Sequence, residues 1–265
     1  MAIIWSLLKR LCMNIKEMSE DKTADKERYN KFSAEVEIDD LTESEDFPWL
    51  AEYLREPYYC YRTFLKSELR EHMQVLEIGS GIGNHTQDII KNNVNLLATD
   101  ISHGSLRVLQ KRYENLNTSV ADIENLPFKR ASFDAVCSAG VFSYADHDVL
   151  FQELNNVLKP NGLLICVDSL NNNPVYKANR YIHYLKNNRS KNSIERIPSM
   201  DTLKYLDERF ELVRVKFFGS ISWLSPLLSR LIGMNATVRF SRYIDKRLDI
   251  DSSAFKFVAI LKKRT

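Results

Sequence analysis

From residue 74 onward, short runs of β-branched and leucine residues alternate with segments whose apolar positions recur at helical spacing. That alternation is the pattern of a parallel sheet with helices on both faces. The runs predict strands over 74–79 (QVLEIG), 95–100 (NLLATD), 117–122 (NTSVAD), 133–140 (FDAVCSAG) and 163–169 (LLICVDS). Between them HTQDIIKNN, HGSLRVLQKRYEN and DHDVLFQELNNVLK read as helices. Two late strands, 211–219 and 254–264, flank an insertion over 220–250 that is apolar first and basic afterwards. Upstream, residues 47–73 crowd aromatics at helical spacing, and Pro57 sits where a helix starts or breaks. One or two covering helices are expected there. Residues 19–46 are dense in acids and lysines and read as a solvated, partly helical or mobile lead-in.

The chain has 265 residues, enough for one large domain with an appendage. Its 37 Lys+Arg against 35 Asp+Glu leave a formal charge of +2, without the cationic surplus that nucleic-acid binding requires. The four cysteines (Cys12, Cys60, Cys137, Cys166) are scattered without C-x-x-C spacing. Neither a zinc knuckle nor a disulfide framework is indicated, and reduced thiols in a cytoplasmic protein are expected. The opening MAIIWSLLKRLCMNIKEM has three readings: a helix packed on the domain, an interfacial anchor giving peripheral membrane contact, or a start codon placed ahead of Met13 or Met18. The expected organisation is a lead-in over 1–46 and one domain over 47–265. The oligomeric state is left open.

The richest stretch is VLEIGSGIGNHT (75–86): an apolar strand carrying Glu77, then Gly79, Gly81 and Gly83 opening a helix. Glycine serves where a chain turns sharply from strand to helix and must approach a ligand without a Cβ. A nicotinamide fingerprint would read G-x-G-x-x-G, whereas Asn84 occupies its last position and the spacing here is E-x-G-x-G-x-G. The second strand ends in Asp100, placed to accept hydrogen bonds from ribose hydroxyls, and the third in Asp122, followed by Ile123.

With ATDIS, VADIENLPF, FDAVCSAGVFSY and LKPNGLLICVD following in order, the chain resembles the class I S-adenosylmethionine-dependent methyltransferases, and within them the small-molecule branch of quinone biosynthesis. The resemblance is tight over 74–169. It implies a Rossmann-like α/β fold with a seven-stranded, mostly parallel sheet, its last strand antiparallel, an N-terminal helical cap and a helical insertion between the last two strands. It implies S-adenosyl-L-methionine as cofactor, with Gly79, Ser80, Gly81 and Gly83 passing under its methionine part. Glu77 would order that loop and the amino group, Asp100 with Ile101 would hold the ribose, and Asp122 with the Ile123 backbone would read the adenine. Residues from Ser138 to Tyr144 would line the gap between methyl and acceptor. LKPNG departs from the family by carrying Asn161 at its second glycine position, and Asn tolerates the left-handed turn.

The sulfonium methyl is already activated, so aligning the acceptor is the main task; a general base adds roughly 10²- to 10⁴-fold for a hydroxyl acceptor. His183, His147 and Tyr144 are the candidate bases. Lys177, Arg180, His183 and Lys186 recur every three residues after the fifth strand, in an acceptor-side segment spanning 170–210. They form either a solvated face or a ridge in which Lys177 and Arg180 pair with an acidic acceptor. The expected function is O-methylation of a small polar molecule such as a sugar or sugar nucleotide. A quinone-like or other lipid acceptor, and a non-catalytic cofactor-binding module, are the alternatives. No metal cluster is evident. The insertion and the aromatic helix of 47–73 are expected to cover the acceptor pocket.

Overall fold

The computed structural model describes residues 20–36, 47, 50–185, 191–248 and 253–265; the apolar opening of the chain lies outside them. The strands are β1 (Gln74–Ile78), β2 (Asn95–Asp100), β3 (Asn117–Val120), β4 (Phe133–Ala139), β5 (Leu158–Ser169), β6 (Phe210–Phe218) and β7 (Lys256–Lys263). The helices are α1 (Glu20–Ala34), α2 (Glu56–Glu68), α3 (Thr86–Ile90), α4 (His103–Arg112), α5 (His147–Val157), α6 (Pro174–Leu185), α7 (Lys191–Glu195), α8 (Met200–Arg209), α9 (Ser225–Ile232) and α10 (Met234–Leu248).

One seven-stranded sheet runs in the order β3-β2-β1-β4-β5-β7-β6. β7 pairs antiparallel with both β5 and β6, and the other pairings are parallel. The strands β1, β4, β5 and β7 are apolar on both faces because both are covered. Leu76, Val136, Leu164, Ala259 and Leu261 face Leu150, Phe151, Leu154, Leu203 and Leu206 of α5 and α8. Val75, Ala135, Ile165, Val258 and Ile260 face Tyr61, Phe64 and Leu65 of α2. Cys137 and Cys166 lie on opposite faces, both fully buried, and burial pushes both thiols up. They are packing residues.

Two expectations are sharpened by the structure. The aromatic helix is first of all a cover for the sheet: Pro57, Tyr61, Phe64 and Leu65 spend its apolar stripe on β5, β6 and β7, and Glu56, Tyr59 and Thr63 line a cleft with Arg242 and Lys246 of the insertion. β5 begins at Leu158, five residues earlier than its apolar run suggested, because LKPNG pairs with the start of β4 through a register shift. Asn161 there has φ of 61°, the left-handed conformation its side chain tolerates. At the same amino edge, Asp134 accepts bonds from the Gln74 amide (2.8 Å) and Lys159 Nζ (2.7 Å), which hold its carboxyl below the ordinary range although partial burial opposes them.

Candidate active site

At the carboxyl ends of β1, β2 and β4 the chain leaves the sheet in sharp turns, and the peptide groups freed there must find partners. Gly79, Gly81 and Gly140 all have positive φ. A Cβ at Gly79 would lie 2.5 Å from Val141 Cγ2, so a glycine is what lets the β1 and β4 turns meet. Asp100 ties the edge together: Oδ2 accepts from the Gly81 amide at 2.9 Å and Oδ1 from the Ser102 amide at 2.8 Å. Burial raises its carboxyl above the ordinary range, and these amides oppose the rise. Glu77 is buried behind the loop, where its Oε2 accepts from Thr86 Oγ1 at 2.7 Å and burial lifts the carboxyl to about 7.

A cavity of about 150 Å³ opens at this edge, lined on the sheet side by Gly79, Gly81, Asp100, Ile101, Asp122, Ile123, Gly140 and Tyr144 among others. Six of these are residues that the sequence assigned to the cofactor, and Tyr144 is a candidate base. Glu77, Ser80, Gly83 and Ser138 do not line it. Ser138 is buried in β4 beside Ile78, and its Oγ has no hydrogen-bond partner among the described residues; the chain reaches the cavity one residue later, at Ala139.

The roof of the cavity was not foreseen. Helix α1 supplies Lys22, Asp25 and Tyr29 to it. Lys22 Nζ donates to both carboxylate oxygens of Asp122 (2.8 and 2.7 Å) and to Glu124 Oε2 (2.7 Å). The hydroxyls of Tyr29 and Tyr144 share a hydrogen bond of 2.8 Å, and burial pushes the Tyr29 phenol far up. Asn30 Oδ1 accepts from Ser102 Oγ and the Gly104 amide. Gly104 permits that approach, since a Cβ there would sit 2.4 Å from Ser33 Oγ.

Beside the cavity the turn Phe142–Tyr144 leads into α5, capped by Asp146, whose side chain accepts from the Asp148 and Val149 amides. The turn is held from below by buried Asp168 at the end of β5, which accepts from the Phe142 amide at 2.9 Å. His147 follows, stacked on Phe151 with its Nε2 buried, and its ring hydrogen-bonds to the backbone of Arg196 and Phe142. Burial lowers its pKa, opposed by Asp168 and by the hydrogen bonds to the Arg196 and Phe142 backbone. It lines an open cleft of about 550 Å³ with Asp146, Asn171, Lys177, Arg196 and Asp201.

Arg180 departs from the cationic ridge. It is buried, donates to Leu170 O (3.0 Å) and Asn171 Oδ1 (2.9 Å), and lies over the Phe255 ring. It faces the protein, whereas Lys177 is exposed. His183 belongs to α6, but its side chain, like all of Lys186, lies outside the described residues. His85, which adjoins the glycine loop, is stacked on Tyr58 at 4.9 Å, and burial, then Lys256 and Arg62, push its pKa down to about 3. No group of three or more metal-ligating side chains occurs among the described residues.

Residues 76–166 match a family model described as a methyltransferase domain. The chain is 29% identical over 126 residues to the sterol 4-C-methyltransferase of Caenorhabditis elegans, covering 45% of this chain and 37% of that protein. It is 30% identical over 118 residues to the ubiquinone/menaquinone biosynthesis C-methyltransferase of Rickettsia massiliae, covering 40% and 48%. The chain thus matches under half the length of these curated relatives. Among solved structures, the geranyl diphosphate C-methyltransferase of Streptomyces coelicolor A3(2), in complex with Mg2+, geranyl diphosphate and S-adenosyl-L-homocysteine, shares the fold. The TM-score is 0.61 at 16% identity, over 92% of this chain and 98% of that one.

Proposed function

We propose, from the chain's membership of the class I S-adenosylmethionine-dependent methyltransferases, that it moves a methyl group to a hydroxyl of a small polar acceptor. The single observation behind this reading is a glycine-walled cavity lined by Asp100, Asp122 and Tyr144, from which the Phe142–Tyr144 turn leads within three residues to His147 in a polar cleft.

The residues present suit the cofactor. Asp100 accepts the Gly81 amide at Oδ2 and the Ser102 amide at Oδ1, with the Ile101 amide also bonded to the carboxylate, and its remaining acceptor capacity suits a ribose hydroxyl. Ile101, Ala121, Ile123 and Val141 offer apolar walls to a flat base, with the Asp122 carboxylate at the rim. Glu77 is buried behind the loop, where its bond from Thr86 orders the glycine turn that faces the cavity. A bound cofactor of this class supplies an electrophilic methyl. The chain's task is then to hold the acceptor in line and take its proton. Asp168, through the Phe142 amide, fixes the turn that places Tyr144 at the cavity and His147 at the cleft. His147, which lines the cleft, is the group we assign to receive the proton; its Nε2 is buried, so the acceptor's arrival has to expose it. Lys177 and Arg196 line the same cleft with Asp146, Asp148, Glu195 and Asp201, so it offers both hydrogen-bond donors and acceptors to a polar acceptor.

The test is single-turnover methyl transfer by wild type and His147→Gln with a panel of sugars and sugar nucleotides. A rate loss of roughly 10²-fold or more with unchanged cofactor affinity supports the assignment. An unchanged rate removes His147 from the reaction. A second reading, a lipid-soluble acceptor, is favoured by the likeness to a sterol methyltransferase and a quinone-biosynthesis methyltransferase; a quinone and a sterol in the same panel decide between them.

A further inference from the structure

The insertion between β6 and β7 is a helical hairpin, α9 and α10, joined at Gly233. It leaves the sheet after β6, at the carboxyl edge that also carries the glycine loop, because β6 runs parallel to β5 and opposite to β7. Its root is fixed. Asp245 of α10 accepts from the Gly219 and Ser220 amides (2.8 and 3.1 Å), and Tyr176 of α6 donates to Gly219 O.

The outer surface of this hairpin is apolar where a globular chain has no reason to be. Leu231 is 71% exposed and Leu227, one turn before it, 56%; Ile232, Phe240 and Tyr243 are also about half exposed or more. Phe240 and Tyr243 sit three apart on α10, and Arg239, Lys246 and Arg247 occupy the same exposed side, the Arg247 guanidinium lying over the Tyr243 ring. Within Ser225–Leu248 there are five cations and one acid, Asp245, and that acid is turned inward on the root amides. Leucine and aromatic anchors bordered by Arg and Lys on amphipathic helices are what an anionic lipid–water interface binds. No described helix is long and apolar enough to cross a membrane, so the hairpin would lie in the interface. A second copy of the chain fits poorly, because a two-fold contact through this face would set cation against cation.

We propose that the α9–α10 hairpin docks the protein on the surface of a bilayer containing anionic lipid, with the mouth of the active site at the docked edge. The docking rests on the hairpin alone and stands whichever acceptor is methylated.

The experiment is flotation of the full chain with vesicles of phosphatidylcholine alone and of phosphatidylcholine with 30% phosphatidylglycerol. Co-flotation with the anionic vesicles only, falling at least tenfold in 0.5 M salt, is expected. Leu231→Asp, and separately the pair Arg239→Glu and Arg247→Glu, should each cut binding tenfold or more. Both variants change exposed side chains, so an unchanged melting temperature shows that the fold is retained. No flotation by the wild type overturns the proposal. So does flotation that survives both hairpin variants and disappears when the chain starts at Met18, which would place the anchor in the N-terminus. A concentration-dependent dimer abolished by Leu231→Asp would make the patch a subunit interface and overturn it equally.

Discussion

Replacing Lys22 with alanine is expected to tighten cofactor binding. Lys22 Nζ occupies both oxygens of Asp122, the carboxylate at the rim where an adenine would lie, and its side chain is only 11% exposed. The space beneath α1 is about 150 Å³, whereas ligand pockets for molecules of this size begin at ~300 Å³. A nucleoside cofactor therefore has to lift α1, and the Lys22 contacts oppose it. Hydrogen bonds to a charged group contribute ~1.5–3 kcal/mol. The Asp122 side chain is 28% exposed, so water recovers part of that on opening and ~1.5 kcal/mol is the appropriate figure. This corresponds to a dissociation constant about tenfold lower in Lys22→Ala. Calorimetric titration with S-adenosylhomocysteine reads it directly. Tyr29→Phe, which removes from α1 the hydroxyl bonded to Tyr144, should shift affinity less. An unchanged or weaker constant in Lys22→Ala would refute the reasoning and make α1 a clamp on bound cofactor, not a competitor for its site.

Glu77 sets a pH dependence. With its folded pKa near 7 and an unfolded value near 4.3, the folded chain holds a proton that the unfolded chain has lost, so stability falls as pH rises through that window. Glu77→Gln should flatten this slope in urea unfolding between pH 4.5 and 7.5; an identical slope contradicts the burial argument. Gly79→Ala should destabilise more than Gly81→Ala, because a Cβ at Gly79 strikes Val141 while one at Gly81 meets nothing within 4 Å. Equal losses in thermal melts would deny the close approach of the two turns. Arg180→Ala should cost ~2 kcal/mol of stability through its lost bonds to Leu170 and Asn171. Wild-type stability with a raised acceptor KM would return Arg180 to the acceptor site.

The sheet was readable in advance because buried strands are written as β-branched runs, and the turns because glycine and aspartate mark them. What escaped was the roof. Helix α1 has no apolar stripe in EDKTADKERYNKFSA, and it docks through polar and aromatic contacts of Lys22, Arg28, Tyr29, Asn30 and Ser33 with partners some 70 to 115 residues away. Periodicity detects helices that bury apolar faces, so this one looked solvated. Arg180 misled for the converse reason: spacing placed it on a ridge, but the loop after β5 offers carbonyl and amide oxygens that draw its guanidinium inward. Asp168 lay inside the motif LKPNGLLICVD, yet its bond to the Phe142 amide 26 positions back depends on the β4–β5 pairing and has no local signature.

The central claim is that the edge joining Gly79, Gly81, Asp100 and Asp122 is an S-adenosylmethionine site. Its most direct test is calorimetric titration of the protein and of Asp100→Ala with S-adenosylmethionine and S-adenosylhomocysteine, with NADH and NADPH as controls. The account predicts micromolar binding of both sulfur ligands, a loss of at least tenfold in Asp100→Ala, and no binding of the nicotinamides. Binding of NADH alone, or sulfur-ligand affinity indifferent to Asp100, would contradict it.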